Sequence, residues 1–334
     1  MSKIIQVKTP EDLERFCALP GPDALAPEIL ARRRADAHWM FIDEASHIVA
    51  RCSLWWNATP LYPGHHLGLI GHYAAYDPKA AAQLFILASE QLAAQGCTMA
   101  VGPMDGNTWQ RYRLLTERGT EPTFFLEPDN PDDWPTHFTD NGFSPLAHYL
   151  SALNTDLSQG DPRVRKVAER IEDHGIRIRS LTLDTFEDEL RRIYDMTVVG
   201  FRSNFLYTPL SESDFVAQYL PIRPYIRPEL VLIVEFHDSP IGFIFAIPDI
   251  SQTRWGQTVD RVIIKTMAVL PEYVGIGLGS LLIARCQEIA KNLGYTRAIH
   301  ALMYEKNISR NISAHYAKPM RRYTLFARIL QESL

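Results

Sequence analysis

At 334 residues the chain is long for one domain and comfortable for two. Its hydrophobic fraction of 46% is ordinary, and a formal charge of −5 with one short basic run, Arg32-Arg33-Arg34, leaves no footprint for nucleic acid. Four scattered cysteines without a C-x-x-C pair, no apolar leader and only strand-length apolar runs predict a metal-free cytoplasmic protein with buried thiols and no membrane segment.

The first predicted strand is 4–7. Thr9 and Pro10 then open a helix as N-cap and first residue, and Pro20-Gly21-Pro22 stops it. A second helix is expected over 27–37, two strands over 38–43 and 47–56 around the polar turn 44–46, and another strand over 67–73. Residues 78–95 read as an alanine-rich helix ended by Gly96, with a strand at 98–101. Gly102–Arg113 is a loop at a strand end, where rigid scaffolds carry binding groups, and it gathers Asp105, Trp109, Tyr112 and Arg113. A turn with Trp109 anchored in a core is the plainer reading of that loop. The stretch 127–135 is loop, and 154–162 is the best linker, dividing the chain into units of 1–155 and 160–334.

Past the linker come a helix with Val164, Val167, Ala168 and Ile171 on one face, a strand over 176–183, and a helix capped by Asp184. A helix over 211–219 and a hairpin of strands 230–236 and 241–247 follow. The stretch 262–283 then reads as strand, glycine-rich turn and helix. Its strand stops at Pro271, Gly275, Gly277 and Gly279 alternate through the turn, and Leu282, Cys286, Ile289 and Leu293 form a helical stripe ended by Gly294.

Glycines at a helix start let a ligand approach the backbone and leave unpaired N–H groups at the positive end of the helix dipole, a seat for phosphate. No lysine follows as a P-loop requires, and Glu288 sits inside the helix rather than at a strand end, against a dinucleotide fold. The same order of elements occurs earlier: offset by 198 residues, Leu84, Glu90, Gly96, Thr98 and Ala100 match Leu282, Glu288, Gly294, Thr296 and Ala298. Gly275, Gly277 and Gly279 then correspond to Asp77, Lys79 and Ala81, so the first copy lacks the bare turn and carries an acid where phosphate would sit.

The stretch Ala268-Val-Leu-Pro-Glu-Tyr-Val-Gly-Ile-Gly-Leu-Gly-Ser280 resembles the pyrophosphate loop of the GNAT acyltransferases, and the resemblance extends over roughly residues 175–330. It implies an α/β fold of two tandem GNAT-like units, each a mixed, mostly antiparallel sheet flanked by helices, the first a degenerate copy serving as scaffold, substrate wall or homodimer surface. It implies an N-acetyltransferase that uses acetyl-CoA (coenzyme A) as co-substrate and a small-molecule amine as acceptor. Val274 stands where the family has Arg or Gln, which removes one side-chain contact to the phosphates. The backbone of Val274, Gly275, Ile276, Gly277, Leu278, Gly279 and Ser280 would hold the pyrophosphate, with Asn307 nearby. A strand bulge near Met267, Ala268 and Val269 would hold the thioester carbonyl. Tyr316 is the implied proton donor to the leaving thiolate, with Tyr304 and Tyr323 as rivals. His300, hydrogen-bonded by Thr266, is the candidate base, with Glu305 behind it. Trp109, Arg113, Arg202, Tyr207 and Tyr225 are candidate pocket residues. Decarboxylation or transfer to a carrier thiol by His300 and Thr266, and non-catalytic acyl-CoA binding, are the alternatives.

Overall fold

The computed structural model describes residues 2–21 and 25–330, so Pro22 of the predicted helix stop and the last four residues lie outside it. In chain order the first half holds β1 (Lys3–Gln6), α1 (Pro10–Ala18), α2 (Pro27–Arg33), β2 (Ala37–Ile42), β3 (Ile48–Trp55), β4 (Leu67–Ala75), α3 (Pro78–Ala94), β5 (Met99–Gly102), β6 (Leu114–Glu117), α4 (Trp134–Asp140) and β7 (Ser144–Asn154). The second half holds α5 (Pro162–Asp173), β8 (Ile176–Ser180), α6 (Phe186–Gly200), α7 (Glu212–Tyr219), β9 (Val231–Phe236), β10 (Ser239–Pro248), β11 (Arg261–Val269), α8 (Leu278–Asn292), β12 (Arg297–Tyr304), α9 (Ile308–Ser313) and β13 (Lys318–Ile329).

Local chemistry explains most boundaries. Thr9 and Asp12 close a capping box at α1. The helix expected over 27–37 ends at Arg33, because Arg34 turns left-handed (φ 49°) and Ala37 already belongs to β2. Thr185, not Asp184, is the N-cap of α6, and its side chain makes no cap bond. Cys52, Cys97 and Cys286 are buried free thiols and Cys17 is half-buried. No helix among the described residues is long and apolar enough to cross a membrane.

All strands join one mixed, mostly antiparallel sheet of order β1-β2-β3-β4-β5-β13-β7-β12-β11-β10-β9-β8, with β6 beside β13. The last strands of the two halves are exchanged. β7 pairs with β12, placing His300 opposite Ala152, while β13 pairs with β5, placing Phe326 opposite Gly102. β7 and β13 also pair with each other along most of their length, and this seam welds the two halves into one sheet. Hydrogen bonding therefore crosses the chain boundary expected near residues 155–160.

Among the described residues only two strand pairs are parallel, β4 with β5 and β11 with β12, one in each half. Each is a strand–helix–strand crossover, with α3 packed on one and α8 on the other. The core under α3 contains Leu84, Phe85, Ala88 and Leu92, and that under α8 contains Leu278, Leu281, Leu282 and Cys286. On the opposite face of the second half, α6 and α7 bury Leu190, Ile193, Met196 and Phe215.

Candidate acyl-transfer site

β11 and β12 run in register from Arg261 opposite Arg297 to Ile264 opposite His300, and there the pairing stops. Just beyond, Lys265 is an extra residue in β11: Phe245 of β10 faces Thr266 while its neighbour Ala246 faces Ile264. This bulge lies upstream of the Met267–Val269 position expected from sequence. Within β11, Met267 and Val269 pair regularly with Ile244 and Gly242. β12 breaks register between His300 and Met303, and Leu302 takes φ 58° with its N–H donating to Ser151 Oγ at 3.0 Å. Two strands that irregularise at the same level open a gap between them.

Through that gap passes a cavity of about 990 Å³. Thr266, Met267, His300 and Asn307 line it, as do Trp109, Arg113 and Tyr207, so the first-half loop and the second-half strands meet there. Trp109 is both anchored and exposed to the cavity: its indole N–H donates to Thr208 O at 2.9 Å and its ring meets Phe201, Tyr207 and Phe215. Arg202 and Tyr225 are not among the lining residues; Arg202 is exposed, and Tyr225 packs edge-on to Phe125 at the surface.

The glycine turn enters α8 from the same side. Gly275 and Gly277 both take φ 94°, a conformation that favours glycine, and Gly277 is the N-cap without a side-chain cap bond. Leu278 is buried, Gly279 and Ser280 complete the first turn, and Val274 is exposed. α5 adds two contacts that the sequence did not foretell. Val167 packs so closely that a Cβ on Gly277 would lie 2.8 Å from it, and Arg170 donates to Ile276 O. Gly277 thus has a packing role besides any ligand role.

Of the candidate proton-transfer groups, His300 and Tyr316 meet with ring centres 6.4 Å apart, and the others fall elsewhere. Tyr316 follows α9 rather than lying on it, and is 8% exposed with its hydroxyl unpartnered; burial raises its pKa. It sits in the core under α8 and is not among the cavity-lining residues. Tyr304 does line the cavity, stacked on Phe205. Tyr323 is fully buried and donates its hydroxyl to Glu127. His300 is buried, and neither ring nitrogen has a partner, so the expected Thr266 hydrogen bond is not formed. Burial alone lowers its pKa to about 4, which makes it a poor base at neutral pH. Glu305 pairs with Arg322.

Sequence reasoning missed Lys265 and Glu127, although Lys265 is the one charge inside the apolar run 262–269. Lys265 Nζ donates to Leu126 O at 2.8 Å, and burial, with Arg113 nearby, lowers its pKa to about 7. Glu127 is fully enclosed beside Arg321, with Oε1 2.7 Å from Arg321 Nε.

In the first half the corresponding features are filled. β4 carries its own bulge opposite β3, between Arg51 facing Ala74 and Ser53 facing Gly71. Within it the His72 N–H donates to the Asp105 carboxylate at 2.6 Å. At the start of α3, Asp77 accepts from the backbone N–H groups of Lys79 and Ala80 at 2.7 and 3.0 Å.

Comparison with known proteins agrees with this geometry. Residues 190–311 match the model of the acetyltransferase (GNAT) family. A bacterial ceramide synthase from Caulobacter vibrioides is 22% identical, over 96% of each chain. Among solved structures, the glucosamine N-acetyltransferase region of a fungal multi-domain β-N-acetylglucosaminidase superposes with a TM-score of 0.56 at 16% identity, covering 98% of this chain and 38% of that one. A tandem GNAT protein from the clavulanic acid biosynthesis pathway superposes over the whole of both chains, with a TM-score of 0.52 at 12% identity. Residues 190–311 are thus similar to the GNAT acetyltransferases, and the chain as a whole has the fold of a tandem GNAT protein.

Proposed function

We propose that the protein transfers an acyl group from an acyl-coenzyme A to the amine of an acceptor held in the cavity between its two halves. The observation that carries this reading is the continuity of parts: the bulge at Lys265 and the cavity meet at the gap between β11 and β12, and Met267 on the cavity wall lies against Gly279 of the glycine turn, where a Cβ would be 3.5 Å from it. Backbone N–H groups of residues 277–280 would hold the pyrophosphate at the helix start. Bulge amides around Lys265 and Thr266 would polarise the thioester carbonyl, whose oxygen gains charge as the amine attacks. Tyr304, on the cavity wall, replaces Tyr316 as the better-placed donor to the departing thiolate. The first half is read as a copy whose own seat is blocked, since Asp105 and Asp77 occupy the donors that a thioester and a phosphate would need.

A second reading concerns the acceptor. A ceramide is an amide of a fatty acid with a long-chain amino alcohol, and the relative with that activity in its name matches over nearly the full length of both chains. The aromatic cavity wall, with Phe201, Phe205 and Tyr219 among its residues, supports a long-chain amine and a fatty acyl donor over a short pair.

Calorimetry with free coenzyme A, acetyl-CoA and palmitoyl-CoA tests the donor, and free-thiol release across short and long amines tests the transfer. Micromolar uptake with amine-dependent release is expected. No uptake of any of the three overturns the proposal, and release with short amines alone overturns the long-chain reading.

A further inference from the structure

The ionisable side chains of the cavity wall are unequally shared between the two signs. Among the described residues Arg33, Arg111, Arg113, Lys265 and Lys306 line it, against the single carboxylate of Glu127. That carboxylate is already engaged. One oxygen lies 2.7 Å from Arg321 Nε and accepts from the Tyr323 hydroxyl, and the other accepts from the Phe124 N–H at 3.0 Å. Arg33 is likewise satisfied, with Asp105 at 2.8 Å.

Arg113 differs from these. It is 6% exposed, and its guanidinium lies 3.8 Å from the ring centre of Tyr112 and 4.2 Å from that of Tyr149. Its polar contact across the cavity is to a neutral group, Leu302 O at 3.1 Å. Lys265 lies close enough for the two charges to repel, and its ammonium is also held by a neutral carbonyl, Leu126 O. The carboxylate near Lys265 is that of Glu127, which is already shared with Arg321 and Tyr323 and leaves two cations in excess of one acid. Burying an excess of like charge is costly, and proteins accept that cost where a ligand supplies the missing charge. A guanidinium lodged in the corner of two perpendicular rings, whose centres are 5.4 Å apart, presents its remaining N–H groups as a planar fork, the geometry that matches a carboxylate or a phosphate.

We infer that the acceptor carries an anionic group, a carboxylate or a phosphate, that binds at Arg113 and Lys265 while its amine faces the gap between β11 and β12. The inference rests on the acyl-transfer reading above and narrows its substrate class to amines bearing an acidic group. The source of the negative charge is assigned to the acceptor rather than the acyl chain, because Arg113 reaches the cavity from the first-half loop, whereas the glycine turn that would hold the donor belongs to α8 of the second half.

The test uses matched acceptors with the full-length protein and a neutral acyl-CoA: an amino acid against its methyl ester, and an amino-alcohol phosphate against the free amino alcohol, each with short and long chains. The anionic member of a pair is expected to show a kcat/KM at least ~10-fold higher. Arg113→Gln is expected to collapse that ratio to near one while leaving the Kd for coenzyme A within ~2-fold. Lys265→Met, which keeps the length of the side chain, is the companion variant should Arg113→Gln fold poorly, and it is expected to lower the ratio as well. A carboxylate preference without a phosphate preference, or the reverse, identifies the group. Equal turnover of charged and neutral members overturns the inference while leaving acyl transfer standing. So does a preference for an acidic acyl donor with neutral amines. A failure to take up any coenzyme A thioester instead removes the reading on which the inference rests.

Discussion

The strand–helix–strand crossovers of the two halves share one frame and treat their backbone donors in opposite ways. Leu67 faces Met99 in the first and Arg261 faces Arg297 in the second, both in parallel register. Each leading strand carries a bulge, and each crossover helix starts a few residues after its strand. In the first half the chain leaving β5 folds straight back onto β4. Met104 N donates to Ile70 O at 2.8 Å, and a Cβ on Gly71 would lie 2.3 Å from Met104 O. Asp105 and Asp77 then satisfy the bulge and the helix start. In the second half β12 continues to Tyr304, the strands part, and a glycine stands at the N-cap. The lesson is that two carboxylates and one reversed loop satisfy the bulge and the helix start of the first half, whereas α8 starts without a side-chain cap.

Copying the acid across should break this contrast most strongly. Gly277→Asp gives α8 the N-cap of α3, and coenzyme A affinity is expected to fall at least ~1000-fold, about 4 kcal/mol, by calorimetry. Unchanged affinity would show that α8 does not seat the phosphates. Because Gly277 has φ 94° and touches Val167, circular dichroism must show that α8 persists.

The converse change strikes the sealed half. Asp105→Ala leaves the His72 N–H and the Arg33 guanidinium without their buried acceptor. Urea denaturation is expected to show a loss of about 3 kcal/mol, with coenzyme A affinity unmoved. A gain of a second coenzyme A site in this variant would mean that Asp105 alone had been blocking a competent seat.

How far these features could be read from sequence depends on their range. The capped helices, the glycine turn and the 198-residue repeat are local or nearly so, and the two parallel crossovers follow the same order of strand, helix and strand. The exchange of β7 and β13 was illegible: Ser144–Asn154 joins β12 and β13 from opposite parts of the chain, and no local signal specifies a partner that distant. For the candidate site, the cavity positions of Trp109, Arg113, Thr266 and Tyr304 were named from sequence, whereas the bulge at Lys265 and the burial of His300 depend on register and packing. Tyr316 falls past the end of α9, which stops at Ser313, and beside His300.

A gentler probe of the contrast is Ser280→Asp. Residue 280 is the third of α8, where an acid favours the helix dipole and so should not lower the melting temperature. The same charge would repel a pyrophosphate, so affinity is expected to fall ~10-fold, about 1.4 kcal/mol. Binding lost together with stability would trace the effect to folding, and binding retained would argue against the seat.

The smallest effect separates the halves by acid sensitivity. Burial lowers the pKa of His300 to about 4, below the ordinary histidine value of 6.5. The unfolded chain therefore binds a proton there that the folded chain refuses. His300 makes its full contribution above about pH 6.5, and stability drains away as the pH falls from there toward 4, by about 1 kcal/mol between pH 7 and 5.5. His300→Phe should flatten the urea-derived stability profile by that amount over that window. The first half holds more such groups: burial lowers His38 to about 4, holds His72 well below the ordinary histidine value and lowers His137 as well. Hydrogen exchange at pH 5 should accordingly open β2, β3 and β4 before β9, β10 and β11. The reverse order would show that the sealed half owes its firmness to Asp105 and Arg33 more than it loses through its buried imidazoles.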